Sequence, residues 1–148
     1  PSDTGYRNSP NPEGRVDHDV PLLRVEDTEG AITAIVFGYA CHNTTLGFYQ
    51  MNGDYAGYAQ HYIEEAHPGT VAMFMMGCGG DQNPYPRRKL ELAKQHGQTL
   101  ATAVEAGLET PKRSINGSLR MAFATADLEY AEAQTKEELL EQAQSTNK

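Results

Sequence analysis

Residues 31–45, AITAIVFGYACHNTT, decide how this chain folds. A nearly unbroken apolar run stops at Cys41-His42 and gives way to small polar residues, the pattern of a strand buried on both faces that releases a polar loop at its end. Residues 70–84, TVAMFMMGCGGDQNP, repeat that pattern with a glycine-rich loop. Between the two, Asp54 suits the N-cap of a helix running to about Ala66, with Tyr55, Tyr58, Ala59, Tyr62 and Ile63 on one side. His67-Pro68-Gly69 ends it. Strand, helix and strand in that order make a parallel pair, and the right-handed crossover rule sets both C-terminal strand ends on one edge of the sheet. In open α/β sheets ligands bind outside that edge.

Working outward, residues 20–27, VPLLRVED, form a second β-favouring run, and Thr28-Glu29-Gly30 joins it to the first as a hairpin. Residues 1–19 have loop composition, rich in proline and glycine and poor in aliphatic residues. On the other side, Arg87 to about Leu108 has helical phase in Leu90, Ala93, Leu100, Ala103, Val104 and Leu108, with Pro111 just beyond its end. Ser118 to Leu128 alternates loosely, as a further strand would. Thr135-Lys136-Glu137-Glu138 is a capping box opening a tail helix. The expected fold is therefore α/β, a mixed sheet with buried parallel strands and crossover helices, forming part of a larger α/β hydrolase-like domain. Within this single partial domain we expect a loop arm over 1–19, a core over 20–128 and a helical tail over 129–148.

Composition narrows the function classes. The 148 residues carry 20 acidic and 12 basic side chains, a net charge of -8, which offers no electrostatic footprint for a phosphate backbone, so nucleic acid is not an expected partner. The apolar runs fall short of the roughly 20 residues that span a bilayer, so no transmembrane segment is expected. No leader pattern is visible at the start. Two cysteines, Cys41 and Cys78, are too few for a disulfide framework.

The residues able to carry chemistry cluster at the two strand ends. An imidazole at His42, leaving a rigid strand, can ligate a metal or act as a base, the plain alternative being a strand-end cap. Asp81 follows Gly77-Cys78-Gly79-Gly80, a loop able to turn sharply and expose amide N–H groups, and its carboxylate can orient a histidine or a water. That loop lacks the lysine and spacing of a phosphate-binding loop. HYIEEAH at 61–67 matches no zinc-helix motif and reads as a solvated face. His96 reads as exposed helix surface, and Asp17-His18-Asp19 as loop polarity. Cys41 beside His42 leaves thiol chemistry formally open, although neighbouring strand residues point to opposite faces.

Taken together, VPLLRVEDTEGAITAIVFGYACHNTT, NGDYAGYAQHYIEEA and TVAMFMMGCGGDQNP resemble the neutral/alkaline non-lysosomal ceramidase family, and more closely its bacterial ceramidase-like branch. The resemblance runs over roughly residues 6 to 128. It implies a zinc-dependent amidase that cleaves an N-acyl bond of a small-molecule or lipid substrate, of the kind met in sphingolipid metabolism, with secretion or a periplasmic location. His42 matches a zinc-ligand histidine at a strand end, and Asn43, Thr44 and Thr45 match the small polar residues beside it. Arg7, in Tyr6-Arg7-Asn8-Ser9-Pro10, matches an arginine near the family's site. Asp54 and Asp81 match the aspartates of its S-G-D and G-D-V-S-P motifs.

On this resemblance His42 is the metal residue, Asp81 and Asn83 are catalytic, and Arg7, Asn43 and Gln82 bind substrate. Thr44 and Asp54 support the metal ligand from behind. The departures matter as much: Asn83 stands where the family has serine, which speaks against true ceramidase activity. The remaining zinc ligands have no counterpart here, which reads as the middle of a domain whose flanking parts lie outside the chain. The alternative is a non-catalytic lipid- or glycan-binding module on the same scaffold.

Overall fold

A computed structural model of the protein describes residues 9–131 and 133–145. It divides the chain into two units, 1–112 and 113–148.

The first unit is built on a three-stranded sheet of order β1-β2-β3, where β1 is Leu22–Glu26, β2 is Ile32–Tyr39 and β3 is Val71–Met76. Strands β1 and β2 are antiparallel, and the turn joining them is held by one side chain. The Asp27 carboxylate accepts from the Glu29 and Ala31 amides, at 2.9 Å each, while Gly30 takes a φ of 88° that only glycine adopts cheaply. Strands β2 and β3 run parallel, from Ala34 opposite Val71 to Tyr39 opposite Met76. The expected crossover helix, α1 (Asp54–Ala66), joins them. A longer helix, α2 (Leu90–Glu109), packs against α1.

The core lies between these helices and one face of the sheet. Ile35, Phe37, Ala59, Ile63, Ala72 and Val104 are almost fully buried, and Phe74 meets Phe37 and Tyr55 edge-on with ring centroids 5.6 and 6.0 Å apart. Helix contact is close because Gly97 has no side chain: a Cβ there would stand 2.5 Å from the Tyr58 Cβ and 2.8 Å from the Tyr55 carbonyl.

Four expectations for the first unit need correction. The strands are not buried on both faces: pairing puts Leu23, Val25, Val71, Met73 and Met75 on the side away from the helices, where all are exposed among the described residues. An apolar run establishes that both faces of a strand are apolar, not that both are covered. Helix α2 begins at Leu90 rather than Arg87, because Arg88 sits at a left-handed φ of 79° and Lys89 is extended, so no helical run passes through them. Helix α1 starts where expected, but Gly53 is its N-cap, and Asp54, itself at φ 51°, turns its carboxylate elsewhere. The 61–67 stretch is not merely a solvated face. Glu64 accepts from the Ala72 amide at 3.0 Å, and His67 pairs with Glu105 of α2 at 3.0 Å.

In the second unit, Ser118–Leu128 forms no strand, and Leu119, Met121, Phe123 and Leu128 are exposed. Alternation needs a partner strand to become structure, and none is present among the described residues. Helix α3 (Lys136–Ser145) opens with the expected capping box. The Glu138 amide donates to Thr135 Oγ1 at 3.2 Å, and the Thr135 amide donates to Glu138 Oε2 at 2.7 Å.

Candidate functional site

The parallel pairing brings the loops after β2 and β3 together at one edge of the sheet, and a glycine permits their contact. Gly79 is buried against the other loop: a Cβ there would stand 2.6 Å from the Cys41 nitrogen and 2.8 Å from the Ala40 carbonyl carbon. No residue with a side chain fits that crossing without backbone movement. Four hydrogen bonds then knit the loops, one of them from the Arg88 amide to the Thr45 carbonyl. The His42 amide donates to the Gln82 carbonyl at 3.0 Å, the His42 ring meets the Gly80 carbonyl through Nε2 at 3.3 Å, and the Thr44 hydroxyl donates to Asn83 Oδ1 at 3.1 Å.

Each bond fixes a chemical property. A carbonyl oxygen only accepts, so His42 Nε2 carries the proton in that contact, and in the neutral ring Nδ1 keeps its lone pair. This is the arrangement of a ligating histidine held by a backbone carbonyl through its other nitrogen. Asn83 Oδ1 accepts from Thr44, which fixes the amide so that its two N–H donors remain to be offered.

The other expected residues fall in different places. Asp81 is exposed, and its Oδ1 accepts from Gln82 Nε2 at 3.0 Å rather than from His42. Gln82 also donates to the Arg15 carbonyl at 3.2 Å, tying the 80–84 loop to the arm. The Gly79 and Gln82 amides donate within their own loop, to Gly77 and Gly79, so the amides available to an anion are fewer than the glycine count suggests. Asn43 is exposed beside His42. Arg7 lies outside the described residues.

Asp54 is 4% exposed and accepts three backbone N–H groups: Thr45 at 3.1 Å, Leu46 at 2.8 Å and Tyr55 at 2.7 Å. It clamps the loop that follows His42 onto the start of α1, which positions the histidine through the backbone. Thr45 Oγ1 is buried there without a hydrogen-bond partner.

The free lone pair on His42 suits one coordination position, whereas a catalytic zinc takes three protein ligands. Among the described residues no three His, Cys, Asp or Glu side chains come together. These residues therefore offer one ligand and do not complete a site by themselves.

Thiol chemistry at Cys41 is disfavoured by its surroundings. Burial pushes the thiol pKa up, the Tyr55 hydroxyl opposes this in part, and the Asp54 charge adds a smaller push upward. Burial pushes the Tyr55 phenol up as well, while its hydroxyl donates to the Cys41 carbonyl at 2.6 Å. Cys78, on the other loop, is exposed.

Two histidines were missed. His18 in the arm meets the Tyr39 hydroxyl through Nδ1 at 3.3 Å, and His96 on α2 meets the Pro86 carbonyl through Nε2 at 2.8 Å. Both line a cavity of about 450 Å³ that Gln82 and Asn83 also line. The signal for His96 was present in the spacing of His96, Thr99, Leu100 and Ala103, which share one helical face. Nothing in the sequence marks His18.

The fold is similar to part of solved ceramidases. Neutral ceramidase from Pseudomonas aeruginosa matches with a TM-score of 0.53 and 18% identity, covering 64% of this chain and 18% of that one. A ceramidase complexed with C2 matches with a TM-score of 0.56 and 18% identity, covering 67% and 19%. At this identity the likeness is one of fold, and the chain spans less than a fifth of either neighbour. No protein-family model matches the chain, and no curated relative matches its sequence. Among the described residues no helix is long and apolar enough to cross a membrane.

Proposed function

We propose that this chain is part of a ceramidase-like hydrolase that cleaves an amide bond of an N-acyl or lipid substrate, with His42 as one metal ligand and Asn83 as a hydrogen-bond donor to the substrate carbonyl. The observation that carries the reading is the meeting of the two parallel strand ends. It holds His42 by its Nε2 and Asn83 by its oxygen, leaving a lone pair on one and N–H donors on the other. Likeness of fold to part of neutral ceramidases supports it.

Zinc bound at His42, with further ligands from outside the described residues, would polarise the carbonyl and activate a water. This chain's own residues would do the rest. Asn83 would hold the carbonyl oxygen, Gln82 would brace the loop through Asp81 and the arm, and Asp54 and Thr44 would keep the His42 loop in place. Arg7, Asn43 and Asp81 would contact polar parts of the substrate. The second reading is a non-catalytic lipid- or glycan-binding module on the same scaffold, in which Asn83 offers an amide and no hydroxyl.

Zinc stoichiometry and affinity of the intact protein, measured beside His42→Ala, test the reading. Loss of bound zinc in the variant is expected, and retained stoichiometric zinc would overturn the assignment of His42. Turnover of N-acyl substrates by the intact protein separates hydrolase from binding module, and Asn83→Ser shows whether a hydroxyl there raises it.

A further inference from the structure

An asparagine followed by glycine is open to attack from within the chain, because no side chain shields the next residue's amide nitrogen. The sequence holds two such pairs, Asn52-Gly53 and Asn116-Gly117. Their surroundings differ. The Asn52 side chain is tied at both ends, its Oδ1 accepting from the Asp54 amide at 2.9 Å and its Nδ2 donating to the Gln50 carbonyl at 2.9 Å. Gly53 packs onto the first turn of α1, where a Cβ would stand 2.8 Å from the Gly57 Cα. Bringing Asn52 Cγ onto the Gly53 nitrogen would break both bonds. Asn116, in contrast, is exposed, and among the described residues no hydrogen bond holds its side chain or the Gly117 amide. Gly117 sits at φ 127° with nothing within 4 Å of where its Cβ would be.

The asparagines at the sheet edge are closed to the same attack by other means. Asn83 precedes Pro84, whose nitrogen has no hydrogen to lose. Asn43 precedes the β-branched Thr44, whose amide already donates to the His42 carbonyl at 2.9 Å. We propose that Asn116 is a site of spontaneous deamidation, while Asn43, Asn52 and Asn83 are kept as amides. The Gly117 nitrogen gives its proton to hydroxide and bonds to Asn116 Cγ. The side-chain nitrogen leaves as ammonia with a proton from water, which restores the hydroxide. The succinimide so formed takes up water at either carbonyl, giving aspartate or isoaspartate with one more negative charge. The net change consumes one water, releases one ammonia and needs no other reagent. Ageing therefore marks the second unit and spares the polar groups at the sheet edge.

The test is incubation of the intact protein in neutral buffer made with heavy-oxygen water, beside a sample unfolded in guanidinium chloride. Peptide mass spectrometry then reads heavy oxygen, which enters only where a succinimide opens. In the folded protein Asn116 should take up label as fast as it does in a free peptide of residues 113–120. Asn52 should lag behind it by roughly tenfold or more, the effect of two hydrogen bonds on a barrier. Unfolding should raise the Asn52 rate to that of Asn116, and Asn83 should take no label in either sample. Equal rates at Asn52 and Asn116 in the folded protein, an Asn52 that stays slow when unfolded, or no label at Asn116 would overturn the proposal.

Discussion

Asp54→Asn probes how the His42 loop is held. The carboxylate is buried, and its Oδ1 accepts from Thr45 and Tyr55 while Oδ2 accepts from Leu46. Asparagine tolerates the left-handed φ of 51° as aspartate does, so the backbone is preserved. Its carbonyl can keep the two Oδ1 contacts, but its NH2 then faces the Leu46 N–H, donor against donor. The loss is one charge-assisted bond and one buried donor left unsatisfied, roughly 2–4 kcal/mol. Against a total of about 5–15 kcal/mol for a domain, that is a large share. At about 4 °C per kcal/mol for a domain of this size, Tm should fall by roughly 8–16 °C. Asp54→Ala removes all three acceptors and adds left-handed strain of about 1–2 kcal/mol, so it should cost more still. Urea unfolding followed by circular dichroism gives both differences. A midpoint for Asp54→Asn within about 0.5 kcal/mol of the parent at unchanged slope, or an alanine variant no worse than the asparagine one, would refute the clamp.

Gly79→Ala should cost about 1–3 kcal/mol by forcing backbone apart at the loop crossing, whereas Gly80→Ala, where a Cβ meets nothing within 4 Å, should be nearly neutral. Equal thermal shifts for the two would dispose of the crossing argument. Iodoacetamide at neutral pH should label exposed Cys78 and spare buried Cys41, as read by peptide mass spectrometry. Tyr39, Cys41 and Tyr55 all have their pKa values raised by burial above the ordinary 10.0, 9.0 and 10.0, so the unfolded chain ionises these groups first as pH rises. Stability should be complete below about pH 9 and decline above it, and urea midpoints that stay level into that alkaline range would contradict this.

The pairing of β2 with β3 and the meeting of His42 with the 80–84 loop were legible in residues 31–45 and 70–84, because a βαβ unit has one allowed hand and so one edge for both strand ends. Legibility failed where the deciding partner is distant in sequence. Asp54 carries the chemistry of a cap, yet the amides of Thr45 and Leu46, brought near by the fold, take its carboxylate. Ser118–Leu128 has the alternation of a strand, yet pairing is a property of two segments. His96 and His18 line the same cavity, and only the fold, which ties the arm to the end of β2, sets them there.

The crossing at Gly79 also divides the neighbourhood by mutational freedom. Asn43 and Asp81 stand exposed on either side of it, and their replacement leaves the bonds between the loops intact. Gly79 admits no variation without parting the strands' ends, and two of those bonds, from the His42 amide and ring, use only the carbonyls of Gln82 and Gly80. A combinatorial library should therefore randomise Asn43 and Asp81 freely and hold Gly79 constant: the scaffold would keep its shape while the chemistry presented at the sheet edge is rewritten.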